Sequence, residues 1–157
     1  MRDFPHYYSV TANSAAQGDV ELTSEGAGAI RSASPKEFDG PGNRWSPETL
    51  LVGAVADCLI LTFRAVARAS RLPWTSLECD VAGTLDRVER AAQFTAFEIH
   101  AHLTVPAGTD PDAARRALDK AERNCLIANS LRAVVHLVPY IDFAKDESAS
   151  MIASIPA

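Results

Sequence analysis

The 157-residue chain is 47% hydrophobic and 22% charged, which suits one globular domain with a core of its own. Its formal net charge of −5 argues against nucleic acid or an anionic membrane as the main partner, because both attract cationic surfaces. The N-terminal segment lacks a basic stretch followed by an apolar one, so the sequence predicts no secretory signal and a cytoplasmic protein.

Several local signals predict where the helices and strands lie within a single domain over 1–157. Ser46 is a good helix N-cap, Pro47 suits a first helical turn, and Asp110 with Pro111 marks a second helix start. Alternating apolar residues predict a hairpin. The predicted elements are N-terminal strands in 6–37, a central helix in 46–70, a hairpin in 76–105, a second helix in 110–127 and a last strand in 133–143.

The predicted central helix is apolar on nearly every side between Leu50 and Phe63. Asp57 interrupts this run and Arg64 follows it, so the segment is too short and too charged to span a membrane. A helix without a polar face is expected to be buried all round. One chain of this size has little material to surround it, which predicts that a second copy covers part of it in a homodimer.

Two cysteines, Cys58 and Cys125, lie far apart in the sequence at apolar positions of the two predicted helices. In a reducing compartment a disulfide between them would be transient and part of a mechanism. This pattern predicts thiol-based redox chemistry. The third cysteine, Cys79, lies on the apolar face of a predicted strand and is interpreted as structural.

Two segments carry a family resemblance. Residues 43–58 resemble the first signature of the OsmC/Ohr family, in which an (N/S)-P-E segment opens a central helix and the peroxidatic cysteine follows ten residues after the glutamate, here Glu48 and Cys58. Residues 125–131 are similar to the second signature, a cysteine ending a helix before a turn and a strand. The resemblance implies an α+β fold with antiparallel sheets packed around a buried central helix, in an intertwined homodimer with active sites at its interface.

The resemblance also implies reduction of organic hydroperoxides without a bound cofactor or metal. The Cys58 thiolate would attack the peroxide and become a sulfenic acid, and Cys125 would condense with it to a disulfide. An external dithiol, such as the dihydrolipoyl group of a lipoyl protein, would reduce that disulfide. Glu48 would orient an arginine that activates Cys58.

The identity of that arginine is open. Peroxidases of the family use an arginine from the loop after the first strand, whereas this chain has none between Asp3 and Ile30. Arg31, Arg44 and Arg64 are substitutes, and Arg44 is favoured because it adjoins the helix-opening motif. Ten helical residues span about 15 Å, so Glu48 would act on Cys58 through two chains or through an arginine reaching back along the helix.

Two alternatives to a peroxidase remain. The missing loop arginine, together with Asp57 beside the cysteine, favours a related protein that binds a small hydrophobic molecule or a partner without significant peroxidase activity. A weaker alternative is a metal site formed by Glu98, His100 and His102, which alternate onto one strand face.

Overall fold

The computed structural model describes residues 3–145 and has the predicted α+β composition. Its elements are β1 Thr11–Asn13, β2 Val20–Thr23, β3 Ile30–Ser32, α1 Pro47–Ser70, β4 Ser76–Val88, β5 Ala91–Val105, α2 Pro111–Arg123, α3 Leu126–Asn129 and β6 Val134–Phe143, with a 3₁₀ turn at Lys36–Phe38. The chain divides after Leu51 into two compact units. The single domain over 1–157 stays a prediction.

The first unit contains a small antiparallel sheet in the order β1-β2-β3 and the start of α1. The predicted N-cap, Ser46, is buried and forms a reciprocal capping pair with Thr49. The Thr49 backbone N–H donates to Ser46 Oγ at 3.2 Å, and the Ser46 N–H donates to Thr49 Oγ1 at 2.8 Å. This exchange satisfies two backbone donors, which explains why the helix begins at Pro47.

The second unit is built on a sheet in the order β4-β5-β6. β4 and β5 form the predicted antiparallel hairpin, but β6 runs parallel to β5, so the sheets are not all antiparallel. A parallel neighbour needs a crossover connection, which α2 supplies. One face of β5 is fully buried and carries Phe97, Ile99, Ala101, Leu103 and Val105.

The apolar composition of α1 predicted a helix that is buried on all sides. In the single chain, however, one side of α1 is exposed. Its buried residues form a stripe that includes Val55, Leu59 and Phe63, at positions i, i+4 and i+8, whereas Leu61 on another side is 51% exposed. By length and composition alone, α1 is the one helix within residues 3–145 that could cross a membrane. Its buried stripe belongs to the core of the second unit, and the cover of its open face by a second copy stays a prediction.

The second helix ends at Arg123, four residues before the predicted end at 127. The reason is Asn124, whose side-chain Nδ2 and backbone N–H both donate to the Lys120 carbonyl, at 2.7 and 3.2 Å. Asparagine competes in this way with helical hydrogen bonding and favours helix ends. Cys125 is therefore extended, with φ −68° and ψ 110°, and is the N-cap residue of the short helix α3.

Candidate active site

Cys58 lies in the middle of α1 and is partly accessible to solvent. Its sulfur is 4.0 Å from the hydroxyl oxygen of Thr62, one helical turn further on. Cys58 is also close enough to the thiol of Cys125 to affect its pKa. The structure thus brings together the two cysteines that the sequence singled out.

Cys125 is 1% exposed and occupies the start of α3. Burial raises the pKa of its thiol to about 11, and the neighbouring Cys58 acts in the same direction. Hydrogen bonds from the backbone N–H groups of Ala128 and Ile127 oppose this shift. At neutral pH Cys125 is therefore a protonated thiol, and its S–H is available to Cys58.

Asp57 and Cys79 are the other two residues whose relation to this pair the sequence left open. Asp57 is exposed, and neighbouring positions on a helix do not face each other. Cys79 is half-buried on β4, where burial, followed by the charges of Asp80 and Glu78, raises its pKa to about 11. At neutral pH Cys79 is therefore almost entirely protonated, and its structural role stays a prediction.

Glu48 lies in the first turn of α1 and lines a cavity of about 510 Å³ in the first unit. The cavity wall includes Gly18, Ser34 and Phe38. Among the residues that the structure describes, Glu48 Oε2 is the buried side-chain oxygen left without a hydrogen-bond partner. Glu48 as a whole is half-buried, but this shielded oxygen is expected to need a hydrogen-bond donor, because a polar atom without a partner away from water is costly.

Arg44 does not fill that need in the described chain, because it pairs with Asp19. Its Nε donates to Asp19 Oδ2 at 2.8 Å, and both side chains are partly exposed. Arg31 lines the same open cavity, of about 340 Å³, as Arg44. The third arginine considered, Arg64, is exposed on α1. Glu48 and Arg44 thus belong to the first unit and the cysteine pair to the second.

The histidines proposed as an alternative metal site are engaged with protein groups. His100 Nε2 lies 2.6 Å from Glu98 Oε1, and His100 Nδ1 lies 3.1 Å from the hydroxyl of Tyr140. The ring of His102 stacks on Tyr140 with centroids 4.5 Å apart. Residues 3–145 contain no group of three or more His, Cys, Asp or Glu side chains placed to hold a metal ion.

Sequence reasoning missed two residues of these sites. Thr62 could have been found, since positions four apart share one side of a helix. Asp19 lies 25 residues before Arg44 and gave no local signal, because only the tertiary structure brings a loop carboxylate to a particular arginine.

Comparison with known proteins identifies the family and the fold of this chain. Residues 40–138, which include both cysteines, match the family model described as OsmC-like protein. The uncharacterized protein YmaD of Bacillus subtilis (strain 168) is 29% identical over 137 residues, which cover 84% of this chain and 91% of that protein.

Solved structures show the same fold. An OsmC-like protein of unknown function from Vibrio cholerae has a TM-score of 0.79 and 17% identity, and the match covers 87% of this chain and all of that one. An organic hydroperoxide resistance protein from Legionella pneumophila has a TM-score of 0.70 and 23% identity, covering 89% of this chain and 99% of that one.

Proposed function

Since this chain belongs to the OsmC-like protein family, we propose that it is a thiol-dependent peroxidase that reduces organic hydroperoxides. The observation that carries the proposal is the neighbouring pair of Cys58 and Cys125, one partly accessible and the other buried with its pKa raised to about 11. This asymmetry suits different roles, because the accessible sulfur can meet a peroxide while the buried thiol keeps its proton. The name of the Legionella pneumophila relative agrees with this substrate class.

The proposed cycle has three balanced steps. The Cys58 thiolate attacks one peroxide oxygen of ROOH, the O–O bond breaks, and the alkoxide takes a proton to leave as ROH. The resulting Cys58 sulfenic acid condenses with the Cys125 thiol, forming a disulfide and releasing water. A dithiol, proposed to be a dihydrolipoyl group, then exchanges with the disulfide, restores both thiols and becomes a cyclic disulfide itself.

The roles of Glu48 and Arg44 are proposed from the family resemblance. Glu48 would orient an arginine, and the unpartnered Oε2 of Glu48 supports a need for such a partner. Arg44 is the proposed activating arginine, held by Asp19 in place of the missing loop arginine. Replacing Arg44 with Lys, which cannot make the same planar contacts, is expected to slow Cys58 oxidation if this role is right.

We propose that the protein acts as a cytoplasmic homodimer in which the open apolar face of α1 meets a second copy. Large exposed side chains support this, including Leu61 at 51% on α1 and Tyr7 and Tyr8 in the N-terminal segment. Apolar walls around Cys58 would favour peroxides with alkyl or acyl groups over hydrogen peroxide. No nucleic acid or membrane partner is proposed for this acidic protein.

The alternative is an OsmC-like protein that binds a small molecule or a partner without significant peroxidase activity. The ion pair between Arg44 and Asp19 favours it, because within residues 3–145 it leaves Glu48 Oε2, the expected partner of the activating arginine, without a hydrogen bond. In that case Cys58 would oxidise only at the rate of an ordinary thiol.

Stopped-flow titration of the reduced protein with cumene hydroperoxide separates the two functions, with Cys58→Ser as the control. The peroxidase proposal expects rapid consumption that depends on Cys58, slower reaction with hydrogen peroxide, and a Cys58–Cys125 disulfide in the mass spectrum. Oxidation no faster than that of a free thiol, without that disulfide, would instead establish the binding alternative.

A further inference from the structure

We propose that the hydroxyl of Thr62 is a hydrogen-bond donor to the reacting sulfur of Cys58 and is therefore a further catalytic residue. The catalytic meaning of this inference rests on the proposed peroxidase function. The proposed hydrogen bond itself, in which the hydroxyl favours the Cys58 thiolate, does not depend on any reaction with peroxide.

The geometry that carries the inference lies within α1. Thr62 follows Cys58 by four residues, so the two side chains share one side of the helix, and Oγ1 and Sγ are 4.0 Å apart. Among residues 3–145 the Cys58 sulfur is the one hydrogen-bond partner of this hydroxyl. Thr62 is partly buried beside the half-buried thiol, which limits competition from water.

Ser70 in the same helix shows what a helical hydroxyl ordinarily does. Its Oγ donates to the backbone carbonyls of Val66 and Ala67, at 2.9 and 3.3 Å. Hydroxyls in helices commonly bond back to such carbonyls. Thr62 Oγ1 lies instead 4.0 Å from the Cys58 sulfur, and this difference gives the chain an internal control.

The chemistry explains why Cys58 gains from such a donor. A peroxide-reactive cysteine must ionise, and hydrogen bonds to the charged form favour ionisation. Cys58 is several turns into α1, beyond the first turn where the positive end of a helix dipole acts. The Thr62 hydroxyl, 4.0 Å from the sulfur, would supply a neutral donor without the loop arginine that this sequence lacks.

The test compares Thr62→Val, which keeps the branched shape but loses the hydroxyl, with Thr62→Ser, which keeps the hydroxyl. Ser70→Ala is the control for loss of a hydroxyl elsewhere on α1. The rate of Cys58 alkylation by iodoacetamide is followed from pH 5 to 10, and mass analysis of each cysteine peptide separates Cys58 from the other two thiols.

The expected result is that Thr62→Val slows Cys58 alkylation at pH 7 by about five- to tenfold and moves the midpoint of its pH profile upward. Thr62→Ser and Ser70→Ala should follow the wild type. A wild-type profile in Thr62→Val would overturn the proposal, as would equal slowing in Thr62→Ser. If Thr62→Val does not fold, as judged by circular dichroism, Thr62→Ala takes its place.

The outcome is separable from that of the peroxidase proposal. If the wild-type protein does not consume cumene hydroperoxide, the peroxidase function fails, while the alkylation profiles still decide the role of Thr62. If peroxide is consumed and the profiles do not change, the reaction stands and Thr62 is only a structural neighbour.

Discussion

The three thiols are expected to differ in reactivity because the fold protects two of them in their protonated form. Burial raises the pKa of both Cys79 and Cys125 from 9.0 to about 11. At pH 8 this lowers the thiolate fraction from about 1 in 11 to about 1 in 1,000, roughly a 90-fold decrease. The more basic thiolate is about eightfold more nucleophilic, given a Brønsted coefficient of about 0.45.

The net expectation is alkylation about tenfold slower for Cys79 and Cys125 in the folded protein than in the urea-unfolded chain at pH 8. Cys125 should be slower still, since its 1% exposure also blocks the reagent. Cys58, which is partly accessible, should be labelled first.

Pulse labelling with iodoacetamide, followed by quenching and peptide mass analysis, measures all three rates in one sample. Free glutathione in each buffer corrects for the effect of urea on the reagent. Labelling of Cys125 at or above its unfolded rate would refute the reasoning, because it would show that the thiol is neither buried nor held protonated. Preferential labelling of Cys79 over Cys58 would contradict the assignment of Cys58 as the reactive thiol.

Three further predictions concern stability. Phe63→Ala should lower the free energy of unfolding by about 3–5 kcal/mol in urea titrations, because Phe63 is fully buried and its ring meets Trp74 edge-on at 5.4 Å; a loss below about 1 kcal/mol would contradict this packing. Gly83→Val should cost about 1–3 kcal/mol in the same assay, since even a Cβ there would lie 2.8 Å from the Phe94 ring, whereas an unchanged urea midpoint would show that the ring yields freely. Finally, the raised pKa of Cys79 means that the folded state keeps the thiol proton to a higher pH than the unfolded state does, so this stabilisation is complete below pH 9 and is lost as the pH rises toward 11. In the wild type the urea midpoint should therefore fall between pH 8.5 and 10.5, and Cys79→Ala should make that fall smaller. An identical fall in both proteins would exclude the effect.

Much of the architecture could be predicted from local sequence signals. The capping residues at Ser46 and Thr49 act within four positions of each other, so the start of α1 needs no tertiary information. The alternation along β5 likewise identifies its buried face, since side chains alternate across any strand. The family signatures singled out Cys58 and Cys125, and the structure places Cys58 close enough to Cys125 to affect the pKa of that thiol.

Other features were beyond the reach of local patterns. The parallel pairing of β6 with β5 depends on how α2 crosses the sheet. The apolar composition of α1 does not indicate which face of the helix stays exposed in a single chain. The end of α2, with Asn124 as its C-cap residue, was only weakly indicated by the sequence. Asparagine is unfavourable inside a helix but does not always end one.

The sequence by itself determined the family and the order of elements, because capping, periodicity and motif spacing are local properties of the chain. Only the tertiary structure decided the partners of the functional groups. It paired Arg44 with Asp19, left Glu48 Oε2 without a partner, and gave the two thiols unequal burial. Those properties depend on which distant segments exclude water from a side chain, and the pKa of Cys125 depends on that exclusion.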